Sequence, residues 1–580
     1  MRLSIVRSAH STSYAVIKSA YKNKKITSVV VERLGNDKYI RETYGVDDPE
    51  AWARAHVEEL NRLAEEEKAG SSISFSPSAQ IAMNEQRSYN LGYLFLQNIF
   101  YQLGLHKICT TVKKRHSFEY NLTSILSRLI YTRILFPGSK RSSFKDSSLF
   151  VEQPDFDLHQ IYRALSVLAS ESDYIQQTLY KNSLALSGRK TSVIYYDCTN
   201  YYFEIEEADP QPGLRQYGYS KENRPNPITQ MGLFMDSEGI PLAFCINPGN
   251  TNEQTTLKPL ERKLISDFSL SKFVVCTDAG LSSLDNRVFN NISGRAYITV
   301  QSLKKAKAFQ KEWAMDPKGW KLLGDDPKKL YDISSLDESE DYEKIFYKER
   351  WFNENGLEQR FIVTYSLKYR DYLASVRGKQ YARAIKKVSQ FSGKDHYQQN
   401  DPDRFIEQLF FTEDGEVATE HKNVLNEERL REEASYDGFY AVATNLEDDA
   451  SSIIRINQRR WEIEECFRIM KHEFIARPCY VSRDDRITAH FMICFLALIV
   501  FRYLEKSLDN EYTVQQIIDT LRSMNALKVE GRGYIPTYER TELTDLLHEK
   551  YHFTTSTQII PIAKMRNICK QTKSPGKEKS

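Results

Sequence analysis

No Cys-x2-Cys pair, no His-Glu-x2-His and no Cys/His cluster with zinc spacing occurs among the eight cysteines and eleven histidines. Neither a thiol redox centre nor a zinc site is therefore expected. Cys198, Cys245, Cys276 and Cys494 sit in apolar runs and read as reduced packing residues of an intracellular protein. GLRQYGYSK, starting at Gly213, lacks the closing Gly-Lys-Ser/Thr of a phosphate loop, which removes an ATP site. Charge of one sign is missing too: the net charge is +2 over 580 residues. Binding to a nucleic acid would have to come from local basic patches. MRLSIVRSAHS has no apolar stretch adequate for a signal peptide. The run Ile487 to Leu504 is interrupted by His490 and Arg502, so a buried helix is expected there and not a membrane span.

What is present is acid in three separate settings. Asp197 follows Val193-Ile194-Tyr195-Tyr196, an apolar run that reads as a buried strand. A carboxylate there is costly unless paired or metal-bound. Thr199, two residues on, shares its face. Asp278 ends a second run, Phe273 to Thr277, and Ala279-Gly280 then turns the chain away. Ligand groups gather at the carboxyl ends of strands in open α/β sheets, although Asp278 is equally able to cap a helix starting at Leu281. The third setting is NQRRWEIEECFRIMK. As one helix, it brings Asn457, Arg460, Glu464 and Lys471 within about a 60° arc, beside an apolar stripe of Ile463, Phe467, Met470 and Phe474. Glu462 and Glu473 point to the far side. A salt-bridged surface helix has the same pattern, but it leaves the two strand-borne aspartates unexplained.

These segments resemble the catalytic triad of DDE transposases from bacterial insertion sequences, in particular the insertion-sequence-four-like branch with a Tyr-x2-Arg-x3-Glu-x6-Lys signature. Arg460, Glu464 and Lys471 match that signature in identity and spacing, and Asn457 stands where the tyrosine is usual. GYSKENRPNP from Gly218, ITQMGLFMDSEGIPLAFCINPGN from Ile228 and RITAHFMICFLALIV from Arg486 are similar to the family as well. The resemblance implies an α/β catalytic core with an RNase H-like mixed sheet, a helical N-terminal region and a mixed β/α insertion domain. It implies Asp197, Asp278 and Glu464 as catalytic residues holding two Mg²⁺ (or Mn²⁺) ions, with Arg460, Lys471, Asn457, Lys221, Arg224, Lys140 and Arg141 on DNA. The partners implied are double-stranded DNA, as terminal inverted repeats and as target, and a second copy of the chain, with no membrane. The setting implied is the bacterial cytoplasm, at the nucleoid. A nuclease of the same fold without strand transfer, and a non-catalytic DNA-binding descendant, are the alternatives.

Along the chain the expected units are a small β unit plus helix (1–75), a helical DNA-binding region (76–190), the first part of the core (191–301), an insertion (302–438), the second part of the core with the catalytic helix (439–510), and a C-terminal helical region with a basic tail (511–580). Asp48-Pro49-Glu50 starts a helix to about Lys68, and Gly70-Ser71-Ser72 reads as a linker. Lys113, Lys114, Arg115 and the loop FPGSKRSSFK supply the basic clusters of the helical region. Trp313, Trp320 and Trp351 are the candidates within the insertion for stacking on a flipped base.

Overall fold

The computed structural model describes residues 1–8, 11–22, 25–68, 76–78, 80–186, 188–292, 294–393, 401–411 and 420–574. The expected linker at Gly70-Ser71-Ser72 and residues 575–580 of the basic tail lie outside the described residues. The chain divides into two compact units. The first holds Met1–Arg87 with two short C-terminal segments. In it β1 (Arg2–Ser8), β2 (Ser11–Lys22) and β3 (Lys25–Asn36) form an antiparallel meander. Alternation turns Tyr14, Val16 and Leu34 to one face, which meets Ile40 of α1 (Asp37–Tyr44) and Ala53 and Val57 of α2 (Pro49–Lys68). Asn36 caps α1 by accepting from the Tyr39 N–H, and Gly45, at φ 64°, ends it.

The second unit opens with β4 (Ser88–Asn90) and the helices α3 (Tyr93–Gln102), α4 (Leu105–Arg115), α5 (Leu122–Leu135), α6 (Lys140–Asp146), α7 (Leu158–Ser170) and α8 (Ser172–Leu186). Then β5 (Val193–Tyr202), the hairpin β6 (Ile228–Asp236) and β7 (Pro241–Pro248), α9 (Leu257–Asp267), β8 (Phe273–Thr277), α10 (Leu284–Phe289) and β9 (Arg295–Gln301) build the centre of a large sheet. The hairpin turn is locked from below. Asp236 accepts from the backbone of Glu238 and Ile240, and its carboxylate is paired with the buried Arg189 guanidinium.

Past α11 (Ala308–Met315) come β10 (Lys321–Leu322), β11 (Phe346–Glu354), β12 (Leu357–Tyr365), α12 (Leu367–Lys387), β13 (Ile406–Phe411), β14 (Glu420–Leu425), α13 (Glu427–Ala434) and β15 (Phe439–Thr444). The sheet has nine strands in the order β10-β11-β12-β15-β9-β8-β5-β6-β7. Only β5–β8 and β8–β9 pair parallel; the other neighbours are antiparallel. The protein is thus a mixed α/β chain with a large mixed sheet. This corrects the picture of 302–438 as a body apart from the core. β10, β11 and β12 continue the core sheet through β15, and only α12, β13, β14 and α13 gather around a small core of their own at Ala384, Phe405 and Ile406.

Next come α14 (Ala450–Gln458), α15 (Trp461–Arg468), a π-helical turn at Ile469–Glu473 and α16 (Asp484–Ser507), and after them α17 (Val514–Ser523), α18 (Glu542–Tyr551) and α19 (Ile562–Lys573). α16 is apolar and long enough for a membrane by composition, yet nearly all of it is buried against α3, α5, α7 and β7. It is the central helix of the helical layer.

Candidate active site

The parallel register of β5 and β8 pairs Tyr196 with Thr277. The next residue on each strand is an aspartate, so Asp197 and Asp278 leave neighbouring strands side by side, about 5 Å apart in the sheet direction. Burial, and then the Asp278 carboxylate, push the Asp197 carboxyl up to about 7, against the pull of Lys221 and Arg460. Asp197 Oδ1 accepts from the Cys198 N–H at 2.7 Å. Asp278 stands at the N-cap of a short 3-10 turn but makes no side-chain cap bond, and its Oδ1 is buried without a hydrogen-bond donor. The capping explanation of this residue therefore falls away. Gly280 keeps the approach open: a Cβ there would lie 3.3 and 3.5 Å from the two Asp278 carboxylate oxygens, and 3.7 Å from Glu253 Oε2.

Cations ring the pair. Lys221 Nζ donates to the Cys198 carbonyl at 2.6 Å and pairs with Glu253 at 3.0 Å. Lys471 Nζ donates to Thr199 Oγ1 at 2.6 Å, and burial, then Lys221, bring its pKa down to about 8. Arg460 lies 3.1 Å from Glu464. Burial works against the charge of Arg460, but Tyr440, Glu464, Asp197 and Asp278 outweigh it and hold its pKa above the ordinary value.

The helix carrying Glu464 differs from the expected single rod. It breaks at Arg459-Arg460 between α14 and α15 and widens into the π turn. The apolar stripe survives, with Ile463, Phe467, Met470 and Phe474 all buried. The charged residues re-sort. Lys471 turns to Thr199 and not to Glu464; Glu462, expected on the outer side, is tucked against Arg459 and Arg502. Glu464 itself is 57% exposed at the side chain. Among the described residues, no three His, Cys, Asp or Glu side chains are close enough to hold one ion. The structure thus brings Asp197 and Asp278 together, and ties Glu464 to them through Arg460.

Asn457 is buried, and its Nδ2 donates to the Tyr440 hydroxyl at 3.2 Å. A phenol does stand next to Arg460, but it arrives from β15. Lys140 is a correction. It is buried 3.3 Å from His490 Nδ1, and burial, then Arg133, bring its pKa down to about 7. An ammonium so enclosed cannot contact a DNA phosphate. Its neighbour Arg141 is exposed, as are Lys113, Lys114 and Arg115. Arg224 stacks 4.1 Å above the Tyr202 ring. Of the three tryptophans, Trp320 is 0% exposed, Trp313 packs on Phe352 and Trp351 is exposed. Missed in the sequence was Trp461, 60% exposed. It borders a cavity of about 300 Å³ with Tyr365, Tyr369, Tyr440, Arg460 and Glu464.

Residues 206–500, just over half of the chain, match the sequence profile of the transposase DDE domain. The chain belongs to the transposase DDE domain family. The matched range contains Asp278 and Glu464 and begins after Asp197, so Asp197 stands on geometry alone. The chain is also similar to piggyBac transposase, solved by cryo-EM as a synaptic complex with hairpin DNA, at 9% identity over 85% of this chain and 90% of that one, with a TM-score of 0.35. It is similar to Mos1 transposase, solved as a paired-end complex with the left transposon end, at 13% identity over 43% of this chain and 68% of that one, with a TM-score of 0.12. Both overlays are too loose to carry residue roles across. No curated protein matches. Within the transposase family, an acid pair at adjacent strand ends with cations around it suits phosphodiester chemistry, where charge must be gathered and then relieved.

Proposed function

We propose that this chain is a DDE transposase of the bacterial insertion-sequence type, acting at the nucleoid. It cuts double-stranded DNA at the terminal inverted repeats of its element and joins the freed 3′-hydroxyls to target DNA. The observation that carries the reading is the Asp197–Asp278 pair: two carboxylates at adjacent strand ends, one oxygen without a donor, in a rim of Lys221, Arg460 and Lys471. The order β7-β6-β5-β8-β9, an antiparallel hairpin beside three parallel strands, supports an RNase H-like core.

The pair fits a divalent cation, since an orphaned carboxylate oxygen beside a second carboxylate is a hard-ligand set. Asp197, Asp278 and Glu464 would hold two Mg²⁺ or Mn²⁺ ions, which supply an acidified water or 3′-hydroxyl and relief of charge on the leaving oxygen. Glu464 is paired with Arg460 at 3.1 Å. A DNA phosphate competes for that guanidinium bidentately and releases the carboxylate toward the aspartates. Neither step needs ATP: cutting by water is downhill and leaves a 3′-hydroxyl and a 5′-phosphate, and joining exchanges one phosphodiester for another. By the family resemblance the ends pass through a hairpin in a homodimeric complex. The tyrosine-lined cavity beside Glu464 gives an unstacked base a place to lie, and denaturing gels that detect covalently closed ends test this.

The deciding experiment is a joining assay on element-end DNA in Mg²⁺ or Mn²⁺. Glu464→Gln is expected to lose cutting and joining while Glu465→Gln keeps both. The opposite pattern removes Glu464 from the site, and cutting without joining converts the enzyme to a nuclease. Arg460→Lys is expected to lower the cleavage rate about tenfold or more despite its retained charge, because a lysine cannot grip a phosphate with two parallel bonds; wild-type rates would remove the phosphate role. The affinity of the Asp197–Asp278 pair for Mn²⁺ should rise with pH through about 7, as the proton that competes with the cation is lost. A Mn²⁺ affinity unchanged from about pH 6 to 8 would contradict the coupling of the two acids.

A further inference from the structure

The loop between β5 and β6 carries one acid in a place where acid is out of keeping. The Glu222 carboxylate pairs with Lys471 at 3.6 Å, with Arg224 at 3.9 Å and with Arg477, so that three cations converge on one anion. The cations rest on aromatic faces: Arg224 on Tyr202 at 4.1 Å, Arg477 on Tyr202 at 5.9 Å and Lys471 on Tyr201 at 5.5 Å. Lys471 is fixed further by its bond to Thr199. Tyr201, Tyr202 and Thr199 all belong to β5, so this seat adjoins Asp197 on the same strand. Lys471 and Arg477 are largely enclosed. Three positive charges around one negative leave the seat with a surplus of about two, more than one carboxylate can neutralise.

We propose that Glu222 is a built-in stand-in for a DNA phosphate: Arg224, Lys471 and Arg477 form a seat for a phosphodiester next to the catalytic aspartates, and Glu222 fills it until DNA takes its place. A phosphodiester offers two anionic oxygens where the carboxylate offers two, with the charge spread to suit the guanidinium forks of Arg224 and Arg477. Release needs little movement. Glu222 lies in a loop without helix or strand, beside Asn223 in the left-handed region at φ 54°, and rotation of its side chain vacates the seat. The device holds the cations in position without DNA and makes loose phosphate contact at this site costly, which favours duplexes that bind elsewhere on the protein as well.

The inference rests on the DNA-cleaving reading above, and the experiment separates the two. With the full chain and a labelled duplex of scrambled sequence, Glu222→Gln is expected to tighten binding about three- to tenfold at low salt, with the gain fading as salt rises. Glu207→Gln removes the same charge from an exposed position of the same loop and should give no comparable gain. Glu222→Asp keeps the charge on a shorter arm and should tighten binding as well, which covers the case of a poorly folded glutamine variant. Arg477→Gln added to Glu222→Gln should erase the gain, an outcome that mere loosening of the loop would not produce. Unchanged or weaker binding by both Glu222 variants, or an equal gain from Glu207→Gln, overturns the proposal. If the wild type neither binds nor cuts any duplex, it is the transposase reading that fails. The seat is then judged by pyrophosphate, which Glu222→Gln should bind measurably tighter than the wild type by calorimetry; equal binding refutes it.

Discussion

In metal-free buffer at about pH 8, Asp197→Asn should melt a few °C above the wild type while losing cutting and joining completely. The carboxyl of Asp197 is held at about 7 in the fold by burial and by Asp278, against an ordinary value of 3.8 in an unfolded chain. Between those two values the folded protein keeps a proton that the unfolded chain releases. Stability from this group therefore falls as pH rises from about 4 to about 7, and the full penalty remains above that. Asparagine cannot ionise, so the penalty disappears, on the order of 1–3 kcal/mol once relaxation of the pair is allowed for. At about pH 5 the difference should shrink, because most of the wild-type protein then carries the proton. Saturating Mn²⁺ should raise the melting temperature of the wild type, by binding the folded state alone, and leave the variant nearly unmoved. A variant that melts at or below the wild type at high pH, or that gains equally from Mn²⁺, would show that the aspartates do not form a strained metal-ready pair.

How much of this was legible in advance follows from which interactions are local. The strands of Asp197 and Asp278 are continuous apolar runs, and period and composition reveal them directly. That they are neighbours depends on strand order, which is a property of the whole sheet. Around Glu464 the apolar stripe was readable, and the break at Arg459-Arg460 was not, since no glycine or proline marks it. The break re-aims α15 and draws Glu462 inward, and the π turn at Ile469–Glu473 separates Lys471 from Glu464. The missing tyrosine of the signature had a counterpart in Tyr440, seventeen residues earlier in the chain and on a strand. Lys140 read as part of a basic loop because its burial comes from His490, 350 positions away. Glu222, flanked by Lys221 and Arg224, looked like ordinary loop charge; Lys471 and Arg477 join it only through the fold.

A fragment of residues 88–190 should fail to fold, although α3 to α8 are complete within it. Those helices are organised around α16, whose Phe491, Ile493, Phe495, Leu498 and Phe501 are buried within the helical layer. Arg133 of α5 donates to the carbonyls of Phe474 and Ile475, and Lys140 of α6 meets His490. Removing α16 uncovers the apolar faces of α3, α5 and α7 that pack on it, and at about 1.5–3 kcal/mol per side chain that loss is comparable to the roughly 5–15 kcal/mol by which a domain is stable. The fragment should lack a cooperative thermal transition and bind a hydrophobic dye; a sharp melt with native-like circular dichroism would show the helical layer to be self-sufficient. The same dependence decides how end recognition has to be tested. If residues 76–190 read the element ends, Lys113→Gln, Lys114→Gln and Arg141→Gln in the full chain should each lower the salt slope of end binding by about one where the side chain meets a phosphate. Lys140→Gln should leave that slope alone and act on stability, because its ammonium never faces the DNA.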